Sequence, residues 1–192
     1  LLIRRLVNLD LEKKPALRFS RDMFLLSFYL RGIPFVDLVH LRKTDVKHNT
    51  IYYYRHKTRQ QLSVHIESYA AQIINRYKNE AASSPYLLLI LSLTGEDGYR
   101  QYKSALRLYN QHLHTLSKML RLSIPLTSYV ARHSWATTAK DEGVAISVIS
   151  ESLGHTSEKV THVYLASFDN NAMSKANKKV IATIHPNKKK KP

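Results

Sequence analysis

The sequence predicts a mainly α-helical domain carrying one small β-hairpin. Apolar residues recur at helical spacing along most of the chain. Only five glycines interrupt its 192 residues. Between residues 50 and 66 the pattern changes to two β-prone runs, TIYYYR and QLSVHI, separated by HKTRQ. Together these describe helices with a hairpin set among them rather than a layered α/β sheet.

Residues 20–31 (SRDMFLLSFYLR) are expected to form a helix opened by Ser20, with Gly32 able to end it. Pro34 suits the first turn of a second short helix, PFVDLVHL. The hairpin follows, and its loop lacks an Asn-Gly turn. Helical periodicity returns from Glu67 to about Lys78, and again from Tyr99 to about Leu120. Between them, residues 79–98 are mixed, with turn residues at Ser83, Ser84, Pro85, Gly95 and Gly98. That segment contains the greasiest stretch, YLLLILSL (86–93), whose length fits a buried element. A further helix is expected from Ser128 to about Asp141, ending near Gly143. Two short helices follow around 145–153 and 157–165, and a last one lies near 169–183. No internal repeat is present.

A hydrophobic content of 44% is enough to bury a core and excludes wholesale disorder. With no cysteine, disulfides and thiolate zinc sites are excluded. Nothing resembles a signal peptide, and no apolar run approaches the roughly 18 residues of a membrane span, so a cytoplasmic protein is expected. His112 and His114 are two apart on a helix and point to different faces. There is no carboxylate pair with metal spacing, no glycine-rich phosphate loop and no serine-nucleophile elbow. Neither a metal nor a cofactor is expected. The net charge of +16 is the informative number, because a field of that sign attracts polyanions, DNA above all. The basic residues are spread through the chain, and only Lys188 to Lys191 form a run, which reads as a solvated tail.

Three strings can carry chemistry: YYYRHKTRQ (52–60), ARHSWAT (131–137) and SLGHTSEKVTHVYL (152–165). Singly, each has an ordinary reading. A helical arginine usually makes an ion pair, a tyrosine usually packs in a core, and a lysine in a turn is usually solvated. Their order is less ordinary. Arg132-His133 lies near the start of a helix, Leu-Gly-His follows with His155 23 residues after Arg132, and Tyr164 comes nine residues later.

This arrangement resembles the C-terminal signature of the tyrosine recombinase (phage integrase) family, in which H-x-x-R-H precedes L-G-H and then a tyrosine. Upstream, RGIPFVDLVHLRKTDV resembles the family's first arginine-containing helix pair, and KTRQQLSVHI its lysine hairpin. The resemblance covers roughly residues 16–168. It implies a catalytic domain over 16–184, with 1–15 the end of an interdomain linker and 185–192 a basic tail. It implies Tyr164 as nucleophile, Arg132 as the second arginine of the family, His155 as the histidine of the L-G-H box and Lys57 as the hairpin lysine. His133 would support its helix, Gly154 would let the chain turn His155 towards the phosphate, and Trp135 would be core.

The implied chemistry suits these residue types. A tyrosine hydroxyl can attack a DNA phosphate and store the bond as a phosphotyrosine, so rejoining needs no ATP. Arginine offers a permanently charged fork for two phosphate oxygens. Such preorganised donors are commonly worth about 3 kcal/mol each at a developing oxyanion. A lysine on a hairpin can deliver a proton to the leaving 5′ oxygen.

Two positions depart from the family pattern. Tyr129, three before Arg132, stands where the family usually has histidine, and its hydroxyl can hydrogen-bond a phosphate oxygen without acting as an imidazole base. Pro34 stands at the place of the family's first arginine. Arg31, one helical turn earlier, is taken as its substitute, with Arg42 and Arg55 as lesser candidates. The expected function is site-specific DNA recombination, in integration, excision or inversion of a mobile element. The alternative is a catalytically weak or silent DNA-binding accessory protein of the same fold. The Leu-Gly-His string disfavours a relaxing topoisomerase. The implied partners are double-stranded DNA and further copies of the chain in a tetramer, with residues 169–184 able to dock on a neighbour. An N-terminal DNA-clamping domain, usual in the family, is expected to be missing here.

Overall fold

The computed structural model describes residues 2–166. The helix expected near 169–183 and the basic tail 185–192 lie outside the described residues. The architecture is mainly helical with a small sheet. Helices α1 (Leu2–Val7), α2 (Pro15–Tyr29) and α3 (Phe35–His40) precede strands β1 (Val46–Lys47), β2 (Thr50–Tyr54) and β3 (Gln61–His65). After the strands come α4 (Ser68–Arg76), α5 (Gly95–Met119), α6 (Val130–Asp141), α7 (Ile146–Leu153) and α8 (Glu158–Ala166).

Helix α2 is the central element, packed on α1, α4, α5 and α6. It starts five residues before the position expected from Ser20, because Pro15 occupies its first turn and needs no backbone donor there. Ser20 lies inside the helix, buried, with Oγ 2.8 Å from Nδ1 of His112 on α5. Met23, Phe24, Leu25 and Leu26 are all buried, so this segment faces the core on every side. The end of α2 is a left-handed closure: Gly32 N–H donates to Ser27 O at 2.8 Å, and Arg31 itself takes a φ of +57°. Gly32 follows at φ +70°.

Strand β2 pairs antiparallel with both β1 and β3, and its register sets Ile51 opposite Val64 and Tyr53 opposite Leu62. Those four are buried while Tyr52 and Tyr54 face outward, the period-two alternation of a half-buried sheet. In α5, Gly95 and Gly98 fall within the helix rather than in a turn before it. The YLLLILSL stretch forms no regular element. It crosses the core as irregular chain, burying Leu88 and Leu91 and exposing Leu89 and Leu93.

Most buried apolar residues form one core built on α2, the sheet, α4 and α5. Residues 1–15, expected as a linker end, supply α1 to that core through Leu6 and a further anchor in Leu11. A second, smaller cluster of Ala136, Ile149, Leu153 and Leu165 holds α6, α7 and α8 together, with the half-buried Trp135 packed against it. Among the described residues, no helix is long and apolar enough to cross a membrane.

Candidate active site

Arg132 lies where the two clusters meet. It is 3% exposed, and its guanidinium bridges the C-terminal ends of two helices. Nη1 donates to Gly32 O at 3.0 Å, just beyond α2, and Nη2 donates to Leu153 O, the last residue of α7. Carbonyls at a helix C-terminus carry partial negative charge, so the cation is held by two helix ends. Burial is the main influence on its acidity and Arg55 the next, lowering its pKa to about 10. It remains charged at neutral pH.

The approach of α6 to the end of α2 depends on Gly32. A Cβ at that position would lie 2.7 Å from Arg132 Cα, a backbone atom that cannot step aside. Helix α7 ends in the same closure as α2: Gly154 takes φ +62° and His155 N–H donates to Ser150 O at 3.0 Å. A Cβ on Gly154 would meet Leu62 Cδ1 at 3.0 Å and Arg55 Cγ at 3.2 Å.

Arg55 is the second guanidinium in this pocket. It directly follows β2, continues the inward-facing alternation of Ile51 and Tyr53, and is 7% exposed. Its Nη1 donates to Leu153 O, the same carbonyl that Arg132 uses, and its Nε pairs with Asp37 Oδ2 at 3.0 Å. Asp37 on α3 also accepts from His56 N–H at 2.9 Å. Two buried guanidiniums therefore converge on one oxygen with a single carboxylate beside them. Arg31 is oriented differently, although its charge, like those of Arg55 and Arg132, reaches Tyr53. Being the left-handed residue after α2 rather than a member of it, it projects off the helix face and donates to Ser63 O at 3.5 Å. Arg42 is exposed, with its guanidinium over the Tyr86 ring at 5.9 Å.

His155 follows Gly154 and sets Nδ1 2.8 Å from Oγ1 of Thr161, which is fully buried. Burial, then Arg132, Arg55 and Lys57, lower its pKa to about 4, so its ring is neutral at pH 7. Lys57 is exposed in the β2–β3 turn, within electrostatic reach of His155. Tyr164 comes from α8, whose burial face places Thr161, Tyr164 and Leu165 towards α7. Its ring lies parallel to His133 at 4.5 Å and 8°, and edge-on to His155 at 5.5 Å. Burial is the largest cause raising its pKa, and the neighbouring Tyr129 adds to it. Burial and Arg132 lower the pKa of His133.

The fold thus gathers Tyr164, Arg132, His155, Tyr129 and His133 directly, with Lys57 at the rim. Asp37, Thr161 and the role of Arg55 were not singled out by the motifs. The signal for Arg55 was the two-residue alternation through Ile51 and Tyr53. Among the described residues, no group of three or more His, Asp or Glu side chains could hold a metal ion.

The family model described as the phage integrase family matches residues 7–171. The chain belongs to the phage integrase family. No match is found among curated proteins. Similar solved structures include an XerA recombinase at 18% identity and TM-score 0.58, covering 89% of this chain and 64% of that one. An XerH site-specific recombinase in a post-cleavage complex with palindromic difH substrate has TM-score 0.66 at 14% identity, covering 91% and 49%. A lambda integrase fragment, a dimer bound to a COC′ core site, has TM-score 0.57 at 14% identity, covering 79% and 53%. At these identities the likeness is one of fold, that of phage integrase catalytic domains. The chain spans between about half and just under two-thirds of the length of those structures.

Proposed function

We propose that this chain carries the catalytic domain of a site-specific DNA recombinase, cleaving and rejoining DNA through a 3′-phosphotyrosine on Tyr164. It would serve integration, excision or inversion of a mobile element. The observation that carries the reading is the convergence of Arg132 and Arg55 on Leu153 O beside the Tyr164–His133 stack. Two buried cations with one carboxylate leave net positive charge where a phosphate would bind, and a phosphorane-like transition state carries more negative charge still. Arg132 and Arg55 are the two forks in this reading, and Arg55 takes the role first given to Arg31. His155, neutral and anchored by Thr161, serves the phosphate through its remaining ring nitrogen. Lys57 delivers the proton to the leaving 5′ oxygen. Duplex DNA is the partner, and recombination of two duplexes calls for a tetramer of such chains.

Covalent capture tests this directly. The full chain is incubated with nicked suicide duplexes from a randomised library, and protein–DNA adducts are resolved under denaturing conditions. The parental chain should form an adduct, and Tyr164→Phe should form none while binding DNA with nearly unchanged affinity. An adduct that persists in Tyr164→Phe would move the nucleophile to another residue. Pro34, standing at the place of a family arginine, favours the second reading of a silent DNA-binding protein. That reading holds if the parental chain binds but yields no adduct on any duplex.

A further inference from the structure

The turn between β2 and β3 carries Lys57, whose side chain is exposed, so the place of its ammonium depends on where the backbone of residues 55–60 is held. The turn is closed by Arg55 N–H donating to Gln60 O at 2.9 Å and Arg59 N–H donating to Arg55 O at 2.8 Å. Those bonds shape the turn, and the Arg55 side chain holds its base. His56, next to Lys57, ties it to α3. Its backbone N–H donates to Asp37 Oδ1 at 2.9 Å, and its ring Nδ1 donates to the same oxygen at 3.2 Å. Its ring lies against that of His40 at 4.5 Å and 39°. His40 is itself fixed, with Nδ1 donating to Val36 O at 2.7 Å and its ring 6.2 Å from that of Tyr102 on α5. Asp37 is 3% exposed and α3 packs on α5, so the turn is tied to the core.

We propose that His56 is a positioning residue, docking the Lys57 turn on α3 so that the lysine ammonium is presented to the leaving 5′ oxygen. The inference rests on Lys57 being the proton donor of the proposed reaction. In that transfer Lys57 gives one proton to O5′ as the phosphorus–O5′ bond breaks, and is left as the amine. Donor and acceptor must lie within hydrogen-bond reach, and a displacement of about 1 Å can cost on the order of a hundredfold in rate. Lysine reaches through a flexible four-carbon stem, which does not set the place of the ammonium, so the backbone beneath has to. Two donors from His56 onto one carboxylate oxygen, with the ring contact to His40, fix the residue that Lys57 directly follows. The charge of Lys57 reaches His155, which sets the docked turn on the His155 side of the pocket. Asp37 meets Arg55 Nε through its other oxygen, Oδ2, at 3.0 Å. One carboxylate therefore serves the fork and the turn separately, and the two roles can be tested apart.

The experiment follows single-turnover adduct formation by the full chain on a normal scissile phosphate and on a 5′-bridging phosphorothiolate, whose thiolate leaves without a proton. His56→Ala removes the ring contact and the ring hydrogen bond and leaves the Asp37–Arg55 pair. It should slow adduct formation about tenfold on the phosphate and recover to within about twofold of parental on the phosphorothiolate, with DNA affinity unchanged. The double variant His56→Ala/Lys57→Ala should be no slower than Lys57→Ala alone, because a residue acting through Lys57 then has nothing left to place. Amide hydrogen exchange of the DNA-free chain gives a readout independent of activity. Exchange in residues 55–60 should rise about tenfold in His56→Ala and stay at the parental level in Lys57→Ala. Unchanged exchange, or a parental rate on the phosphate, overturns the docking. So does a His56→Ala defect that persists on the phosphorothiolate, because His56 then acts through Arg55 or the fold. If Lys57→Ala cleaves the phosphate at the parental rate, the proton-donor reading fails instead, and exchange still decides whether His56 docks the turn.

Discussion

Arg55 and Arg31 separate on a single geometric fact, the secondary structure each belongs to. Arg55 directly follows strand β2, and its side chain continues the inward alternation of Ile51 and Tyr53. Arg31 sits in the left-handed closure of α2, where the helical spacing that would aim it at the pocket no longer applies. Arg55→Lys should therefore lower adduct formation by about tenfold or more, roughly 1.4 kcal/mol of barrier, because lysine keeps the charge but not the fork. Arg31→Ala should stay within a few-fold of the parental rate. Lysine is the better replacement at Arg55, since alanine would leave the buried Asp37 with His56 but without its guanidinium. If Arg31→Ala is the slow variant and Arg55→Lys the normal one, the assignment of the second fork is reversed.

Helix ends, rather than helix faces, build the pocket. The C-termini of α2 and α7 present carbonyls to Arg132, and each ends in a left-handed turn that redirects the chain within two residues. Glycine is needed at both closures for different reasons. At Gly154 the positive φ disfavours a side chain by about 1 kcal/mol, and the crowded Cβ contacts are with flexible side chains. At Gly32 the obstructing atom is the Arg132 backbone. Urea denaturation should therefore rank the variants. Gly154→Ala should lose about 1–2 kcal/mol, and Gly32→Ala more, with displacement of α6 and loss of adduct formation. Equal and small losses in both would mean that α6 can retreat from α2 without consequence.

At the scale of the whole molecule, charge and proton uptake make two expectations. A net charge of +16 implies binding led by phosphates, so the logarithm of DNA affinity should fall with the logarithm of salt, by about 0.9 per contacted phosphate. A flat salt titration would favour a protein partner over DNA. The second expectation concerns acid. His155 titrates at about 4 in the folded chain against an ordinary value of 6.5, so the unfolded chain binds more protons between those values. Stability should therefore fall as pH drops from about 6.5 to about 4, by at most about 1 kcal/mol per pH unit for one histidine. His133, also lowered, acts in the same direction. Urea midpoints measured across that range should show the slope, reduced by one histidine's share in His155→Gln. An unchanged slope in the variant would place the acid sensitivity elsewhere.

The order of short strings in the chain was enough for the helical class, the hairpin, the family and the residues carrying its signature. Those strings read directly because Arg132, His155 and Tyr164 sit at spacings that local helices and one glycine turn impose. Element boundaries were less legible where competing signals met. Pro15 outranked Ser20 as the start of α2, and the Tyr86–Leu93 stretch has apolar residues without a period that selects helix or strand. The proposal of Arg55 rather than Arg31 as the partner fork of Arg132 rests only on tertiary structure. That fork's identity depends on which cation reaches Leu153 O across 98 residues of chain, and on Asp37 being free to pair with Arg55 rather than Arg31. The edge-on contact of the Tyr129 and Tyr164 rings is likewise tertiary, because it exists only once α8 folds back over the start of α6. Local sequence determines what each residue can do, whereas burial and long-range packing determine which of several equivalent residues is in position to do it.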